Sequence, residues 1–322
     1  MQMCHLLKSV TILTVSGREV LPQQWTEKNK ETVRTRSRSA RKNVKICRLE
    51  TITEELYAII WDGDVVKKNS VIRTMLAHKS IRKYTAESPS EEMIRTIVRA
   101  GQQAPFAYQC YSVLLSRKKE QNHYKAPLLF TICLDPHKFE LIMARRNWKL
   151  VVNDLALMLL GIQDAALMAE NMVVAGRSLG LGSCFLGNAP WRAGKIAEEY
   201  DLPKRVFPLV QLVMGYPAED PPPRPRYPMD FTLFEDKYPK LTEDVVSEAM
   251  KRMDEGYLAQ AYYRRLKAKI PLRVARKETF TYDNYSWTEH ICRKLGQWDP
   301  EPDELLEQLE NRGFHLTRKK KK

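Results

Sequence analysis

The sequence lacks the closely spaced cysteines and histidines that usually bind a structural metal. Its six cysteines stand far apart and form no C-x-x-C pair, and its six histidines show no H-x-x-x-H spacing. Zinc motifs need such spacings, and small disulfide-linked folds are much richer in cysteine. We therefore expect no metal site, and reduced thiols such as a cytoplasmic protein carries.

Glycine-rich phosphate loops are also missing. Neither G-x-G-x-x-G nor the P-loop pattern occurs in the sequence. The nearest match, GRSLGLGSCFLG at residues 176–187, places its glycines after a predicted helix rather than after a strand. No Ser-His-Asp or Cys-His arrangement is recognisable, so we predict no side chain that acts as a nucleophile.

No uninterrupted apolar run is long enough to span a membrane. The longest apolar stretch, residues 155–174, is interrupted by Asp164 and Glu170. The apolar piece VTILTV near the N-terminus is too short for a signal peptide. We predict a soluble, cytoplasmic protein with no membrane partner.

The net charge of +14 is concentrated at the two ends of the chain. Residues 1–50 carry +7 and residues 318–322 carry +5, which leaves +2 for residues 51–317. Such runs are usually solvated tails and less often arms that bind polyanions. Neither tail interleaves aromatic and basic residues as single-strand binders do, so we expect no specific nucleic-acid partner.

The composition divides the chain into three parts. Residues 1–66 are basic, contain the low-complexity run RTRSRSARK, and are predicted to be a disordered extension with one short element near 52–61. Residues 67–317 have ordinary globular composition and are predicted to form the folded domain. Residues 318–322 form a basic tail.

The predicted domain mixes helices and strands without a regular βαβ repeat, which indicates an α+β fold. The helix that Ser88 or Ser90 begins ends at Gly101, and a long helix stopped by Gly180 and Gly182 is apolar on nearly every face. Such a helix is buried in a domain or in a subunit interface. Further helices are predicted at 192–202, 243–266, 286–295 and 302–314, and strands at 111–116, 127–135, 183–187 and 207–217.

Two groups of hydrogen-bond donors stand far apart in the sequence. The first lies in HKSIRKY, residues 78–84, and the second lies in the stiff segment PPPRPRYP, residues 221–228. Together they would suit a phosphate monoester, which takes several charge-assisted hydrogen bonds. The residues alone leave open whether they meet in space or form two surface charge patches. The donors are His78, Lys79, Ser80, Arg82, Arg224 and Arg226.

Four segments in this order resemble the FMN-dependent nitroreductase family. They are HKSIRKY, RAGQQAPFAYQCYSV, GIQDAALMAENMVVAGRSLGLGSCFLG and FPLVQLVMGYPAEDPPPRPRYP. With the later SWTEHICRKL, the chain is most similar to the branch of oxygen-insensitive NADPH nitroreductases and flavin reductases over about residues 67–317. The resemblance implies an α+β sandwich with a central mixed or antiparallel sheet flanked by helices. It also implies an intertwined homodimer with two FMN molecules in the interface.

The resemblance assigns roles to the cations. His78, Lys79 and Ser80 would hold the FMN phosphate and the ribityl chain, and Arg224 and Arg226 would complete the phosphate site. Arg82 would lie near flavin N1 and O2, where its charge stabilises the reduced flavin.

The resemblance also assigns the remaining flavin contacts. Gln109 would hydrogen-bond the ring or the ribityl chain. The backbone of Phe185, Leu186 and Gly187 would face the N5 and O4 edge, where a glycine lets the backbone approach closely. Relatives usually carry a helix and a flavin-contacting glutamine where this chain has a short basic linker, and Gln121 is the candidate replacement.

The activity implied is ping-pong hydride transfer from NAD(P)H through FMN to a small-molecule electron acceptor such as a nitroaromatic, a quinone or free flavin. Arg264 and Arg265 are candidate contacts for the 2′-phosphate of NADPH, or a solvated helix face.

Two alternative functions stay open. One is specialised flavin chemistry such as reductive dehalogenation or a biosynthetic reduction, suggested by the altered turn GNAPW; the other is a flavin- or polyanion-binding protein with little catalysis.

Overall fold

The computed structural model describes residues 59–61, 64–66, 69–273, 275–297 and 302–316. The chain divides into two compact units, Met1–Ser70 and Val71–Lys322. In the first unit, β1 (Ile59–Trp61) and β2 (Asp64–Val66) pair antiparallel. The predicted disorder of residues 1–66 and the basic tail 318–322 otherwise lie outside the described residues, and the predicted domain boundaries stay predictions.

The second unit is built on a four-stranded antiparallel sheet with the order β3-β4-β6-β5. Every residue of β4 is buried, so its run of apolar side chains is that of a central strand. The four predicted strands are confirmed, and the sheet is antiparallel rather than mixed. The strands are β3 (Tyr111–Ser116), β4 (Leu128–Leu134), β5 (Gly182–Leu186) and β6 (Phe207–Gly215).

Helices cover the sheet and extend beyond it, which confirms the α+β class. Short 3₁₀ turns lie at His123–Lys125, Pro190–Arg192 and Met229–Phe231. The helices are α1 (Ser70–Leu76), α2 (Glu91–Gln102), α3 (His137–Arg145), α4 (Asp154–Ser178), α5 (Ala193–Glu199), α6 (Glu243–Ala259), α7 (Tyr262–Leu266), α8 (Trp287–Gly296) and α9 (Pro302–Asn311).

Local capping explains where the two core helices begin. The Ser90 hydroxyl accepts the N–H of Met93 at 3.2 Å at the start of α2, and the Asn153 side chain accepts the N–H of Ala156 at 2.8 Å at the start of α4. Gly101 lets α2 approach α4, because a side chain there would meet Met172 at 2.7 Å. Of the two predicted start residues, Ser88 and Ser90, Ser90 is the one that caps α2.

Helix α4 is apolar on its buried and on its exposed faces, as predicted. Its inner face joins the main core against the sheet, whereas Leu155, Leu159 and Ile162 are exposed. Among the described residues, α4 is long and apolar enough to cross a membrane by length and composition, criteria that the core helix of a soluble protein also meets.

The single helix predicted over 243–266 is wrong, because the chain breaks between α6 and α7. Ala261 adopts a left-handed conformation with φ 46°, and its N–H donates to the carbonyl of Leu258. The break turns Tyr262 and Tyr263 back onto an aromatic cluster around Tyr257. Burial of these rings outweighs the helix propensity of the connecting residues.

Candidate anion-binding site

The segment at residues 78–84 is held against the edge of the sheet. The N–H of Ile81 donates to the carbonyl of Ser183 in β5 at 2.8 Å, and Ser80 pairs with the same residue as a parallel bridge. Gly182 makes this approach possible, because a Cβ there would lie 2.5 Å from the side chain of Ile81. The sequence pattern predicts for Gly182 only that it stops a helix.

Glu219, just after β6, holds the same segment from the other side. Its carboxylate accepts the N–H of Arg82 at 2.6 Å and the N–H of Lys83 at 3.2 Å. The N–H of Ala218 donates back to the carbonyl of Lys83 at 2.9 Å. These bonds bring the chain that leads into the proline-rich segment directly beside the first group of cations, a contact that the sequence did not reveal.

Five of the six predicted donors, taken from both groups, line one cavity of about 290 Å³, and Arg82 is not among its lining residues. We call this cavity the anion cradle and define it by the five donors that line it: His78, Lys79, Ser80, Arg224 and Arg226. The structure therefore brings together residues that lie far apart in the sequence, which favours a common site over two separate charge patches. The rest of the wall is formed by Pro225, Tyr227, Met253, Tyr257 and Trp287.

The anion cradle is electropositive. Burial lowers the pKa of His78 below its ordinary value of 6.5, and the charges of Arg177 and of the two cradle arginines lower it further. Lys79 forms an ion pair with Asp220, whose side chain is exposed. An added anion would relieve the mutual repulsion of these cations, as expected of a phosphate site.

The two arginines of the cradle are held differently. The guanidinium carbon of Arg224 lies 4.7 Å from the centre of the Tyr262 ring, and this side chain is half-buried. Arg226 is exposed, and its guanidinium donates to the carbonyls of Arg224 and Pro225, each at 3.1 Å. Arg224 is thus fixed by neighbours from the C-terminal helices, whereas Arg226 folds back on its own segment.

The linker between β3 and β4 reaches Arg82 through Tyr124. Tyr124 is an electrostatic neighbour of the Arg82 side chain and has a left-handed backbone with φ 57° in the 3₁₀ turn. Gln121 is exposed and is not among the residues that line the anion cradle. Its predicted flavin contact stays a prediction, and Tyr124 is a neighbour of Arg82 that the sequence analysis missed.

Gln109 lies in a loop whose backbone is organised by a buried carboxylate. Asp164 in α4 is 1% exposed and accepts backbone N–H groups on both sides of Gln109, at Tyr108 and at Cys110. Gln109 itself is exposed with φ 56°. The signal that could have revealed Asp164 is its position as a charged residue inside an apolar helix.

The end of β5 leaves room beside its backbone. Phe185 is 39% exposed, and a Cβ added at Gly187 would meet no protein atom within 4 Å. Protein packing therefore does not require glycine at position 187. Only a bound ligand close to the backbone would require it, as predicted from the sequence. The assignment of Phe185, Leu186 and Gly187 to flavin binding stays a prediction.

Two other predictions concern the binding of NADPH and of metal ions. Arg264 forms an ion pair with Asp283, and Arg265 is exposed, so their contact with NADPH stays a prediction. The described residues include no group of three or more His, Cys, Asp or Glu side chains placed to hold a metal ion.

Comparison with known proteins agrees with the predicted family. Residues 113–216 match the model of the nitroreductase family. A relative from Bacillus subtilis strain 168 named "FMN reductase (NAD(P)H)" is 29% identical over 267 residues, which cover 78% of this chain and 100% of that protein. The chain is therefore similar in sequence to nitroreductases. The oxygen-insensitive NADPH nitroreductase of Salmonella typhimurium is 26% identical over 238 residues, covering 70% of this chain and 90% of that protein.

A solved structure shares the fold. NfrA2 of B. megaterium superposes with a TM-score of 0.67 and 26% identity, covering 78% of this chain and 100% of that chain. The resemblance to nitroreductases stated from the sequence is confirmed, and so is the α+β fold. The residues that match the family model include β4, β5, β6 and most of β3, whereas the five donors of the anion cradle lie outside them in the sequence.

Proposed function

We propose that this nitroreductase-family protein is an FMN-dependent NAD(P)H oxidoreductase that reduces small-molecule electron acceptors. The observation that carries the proposal is the anion cradle, in which His78, Lys79 and Ser80 line the same cavity as Arg224 and Arg226. The names of the relatives, FMN reductase and NADPH nitroreductase, support the same activity.

The donor set suits FMN. A phosphate monoester carries close to two negative charges and accepts hydrogen bonds at three oxygens, and the cradle offers a lysine, two arginines, an imidazole and a hydroxyl. Guanidinium groups match phosphate oxygens in a planar fork. The open space beside Gly187 would admit a flat ring along the end of β5.

FMN, when bound, supplies the capacity to accept a hydride and pass on two electrons. The residues of this chain would bind and orient it. The cradle would hold the phosphate, and Arg82 would place a positive charge at the pyrimidine edge. Asp164 would keep the loop of Gln109 in shape beside the ring. NAD(P)H and the acceptor would occupy the same space in turn, in a ping-pong scheme whose rate depends on positioning and electrostatics.

The proposed enzyme is a homodimer. An exposed apolar face runs along the loop before α4 and the first turns of that helix, a larger patch than single exposed apolar residues make. A second copy of the chain would cover this face and complete the two flavin sites. The face consists of Trp148, Val151, Val152, Leu155, Leu159 and Ile162, with exposures from 40% to 92%.

The remaining proposals follow from the family and the charge distribution. The protein would be soluble and cytoplasmic, with no specific nucleic-acid or membrane partner. Residues 67–317 would form the flavin-binding domain, with residues 1–66 and 318–322 as basic extensions. Arg264 and Arg265 stay candidate contacts for the 2′-phosphate of NADPH.

The visible absorption spectrum of the purified protein tests the proposed function. We expect flavin bands that bleach when NADPH is added without oxygen and return when a quinone or a nitroaromatic compound is added. A protein that is colourless and does not take up added FMN would overturn the cofactor assignment. Flavin bands that both NADPH and NADH leave unchanged would overturn the proposed electron donor.

A further inference from the structure

The C-terminal helices hold the proline-rich segment at several successive residues. The Gln260 side chain donates to the carbonyl of Pro223 at 2.8 Å, at the break between α6 and α7. The indole N–H of Trp287, the first residue of α8, donates to the Tyr227 hydroxyl at 3.1 Å. The two bonds lie on either side of the cradle arginines in the sequence.

Between these two bonds, Arg224 is enclosed by aromatic rings. Its guanidinium lies over the Tyr262 ring, and Arg224 and Tyr257 line the same cavity. Tyr257 is 3% exposed and stacks on Trp287 at 5.2 Å and on Tyr263 at 5.6 Å between ring centres. Because these rings are packed, the position of Arg224 is set by the helices and not by its own rotamer preferences.

Gly256 brings α6 into contact with the next residue of the segment. A Cβ at position 256 would lie 2.6 and 2.9 Å from ring carbons of Pro225. A proline ring cannot rotate away, since it is fused to its own backbone. Alanine at this position would therefore push Pro225 and the arginines beside it away from α6.

We infer that α6, α7 and α8 form a clamp that positions Arg224 for phosphate, and that Tyr262 and Gly256 are its positioning residues. The inference rests on the proposed function, because it assigns the phosphate of FMN as the group that Arg224 contacts. It gives the C-terminal helices a role in binding the ligand, which neither Tyr262 nor Gly256 reveals when it is considered alone. The clamp acts only through the phosphate end of the ligand, so it contributes to the preference for FMN over riboflavin.

The test compares two ligands that differ only in the phosphate. Dissociation constants for FMN and for riboflavin are measured by fluorescence titration of the flavin-free full-length protein and of the variants Tyr262→Leu and Gly256→Ala. We expect each variant to bind FMN about tenfold or more weakly, because a charge-assisted hydrogen bond is misplaced. We expect riboflavin binding to stay unchanged.

Two controls match the variants. Tyr262→Phe keeps the aromatic ring under Arg224 and should bind FMN like the wild type. Gly296→Ala places a methyl group at a helix glycine where no protein atom lies within 4 Å, and it should also leave both affinities unchanged. Circular dichroism establishes whether each variant is folded. If Tyr262→Leu does not fold, the result for Gly256→Ala decides the test.

A double-mutant cycle separates positioning from a general loss of structure. In an Arg224→Ala background, Tyr262→Leu should cause no further loss of FMN affinity, because the group that Tyr262 positions is gone. Equal losses for FMN and riboflavin, or unchanged FMN binding in both variants, would overturn the clamp. A wild-type protein that binds neither ligand would overturn the proposed function itself, which is a different result.

Discussion

The buried carboxylate of Asp164 accepts a 3.0 Å hydrogen bond from the backbone N–H of Cys110. The same carboxylate accepts the N–H groups of Ala107 at 2.6 Å and Tyr108 at 3.1 Å, so three donors of one loop converge on one side chain. The loop holds Gln109 in a left-handed conformation between two of these bonds. Helix α4 thus shapes the loop that carries one predicted flavin ligand, in addition to its packing in the core.

We predict that Asp164→Asn lowers the free energy of unfolding by about 1–3 kcal/mol, because an amide group turns N–H donors toward backbone N–H donors in a buried place. Flavin binding should weaken equally for FMN and riboflavin, since the loop of Gln109 serves the ring and not the phosphate. Urea denaturation and the two flavin titrations measure this. Glu170→Gln, an exposed carboxylate of the same helix, is the control. Unchanged stability in Asp164→Asn would contradict the role of the loop bonds.

A second prediction concerns protons. Burial and the neighbouring cations lower the pKa of His78 in the free protein, whereas a bound phosphate would favour the protonated imidazole. FMN binding should therefore take up a proton at His78 when the pH lies between the lowered pKa of the free protein and the higher pKa of the complex. Isothermal titration calorimetry in buffers of different ionisation heat measures the uptake. His78→Gln should lose it, and riboflavin should not show it.

The control for that experiment is His137→Gln, which changes a histidine at the start of α3 outside the cradle. Equal proton uptake in the wild type and in His78→Gln would remove His78 from the phosphate site.

In the flavin-free protein the lowered pKa of His78 also affects the stability of the fold. The contribution of neutral, buried His78 to the free energy of unfolding is complete above pH 6.5. It is lost as the pH falls through the lowered pKa, because the unfolded chain binds the proton more tightly than the folded protein does.

The ion pair between Lys79 and Asp220 leads to a third prediction. Asp220 competes with a phosphate for the same ammonium group, so Asp220→Asn should tighten FMN binding by about two- to fivefold. The gain should shrink as salt is added, because Asp220 is exposed and its charge is screened. Asp230→Asn, an exposed acid on a nearby turn, should have no effect. Weaker FMN binding in Asp220→Asn would mean that the acid orients Lys79 instead of competing for it.

The sequence predicted features that depend on neighbouring residues. The cap at Ser90, the four strands and the long apolar helix all follow from short patterns of residue type. The break at Ala261 carries no glycine or proline, so no local pattern marked it. It follows from the packing of rings that are distant in the sequence.

The sequence predicted the residues of the candidate site but not how the fold brings them together. The sequence showed which residues could bind a phosphate, but their meeting depends on Gly182 at the edge of β5 and on Glu219 after β6. Tyr124 and Tyr262 were missed for the same reason. A tyrosine gains its role here from the arginine that lies beside it, and only the fold brings the two together.

The apolar face before and along α4 gives a fourth prediction. Leu159→Glu places a charge on this face and should convert the proposed dimer into a monomer, because burying an unpaired carboxylate in an apolar interface is costly. Sedimentation velocity measures the change in mass, and FMN affinity should fall with it. Leu295→Glu, which changes an exposed leucine of α8, should leave the dimer intact. A wild-type protein that sediments as a monomer at micromolar concentration would contradict the proposed assembly.

Arg82 gives the last prediction, which concerns the redox potential. A fixed positive charge near flavin N1 and O2 stabilises the reduced state, so its removal should lower the midpoint potential of bound FMN. We expect Arg82→Ala to lower it by about 20–40 mV, equivalent to about 1–2 kcal/mol for a two-electron couple. Lys83→Ala removes an exposed charge at the next position and should change the potential much less. If Arg82→Ala leaves the potential unchanged while FMN stays bound, Arg82 does not lie at the pyrimidine edge.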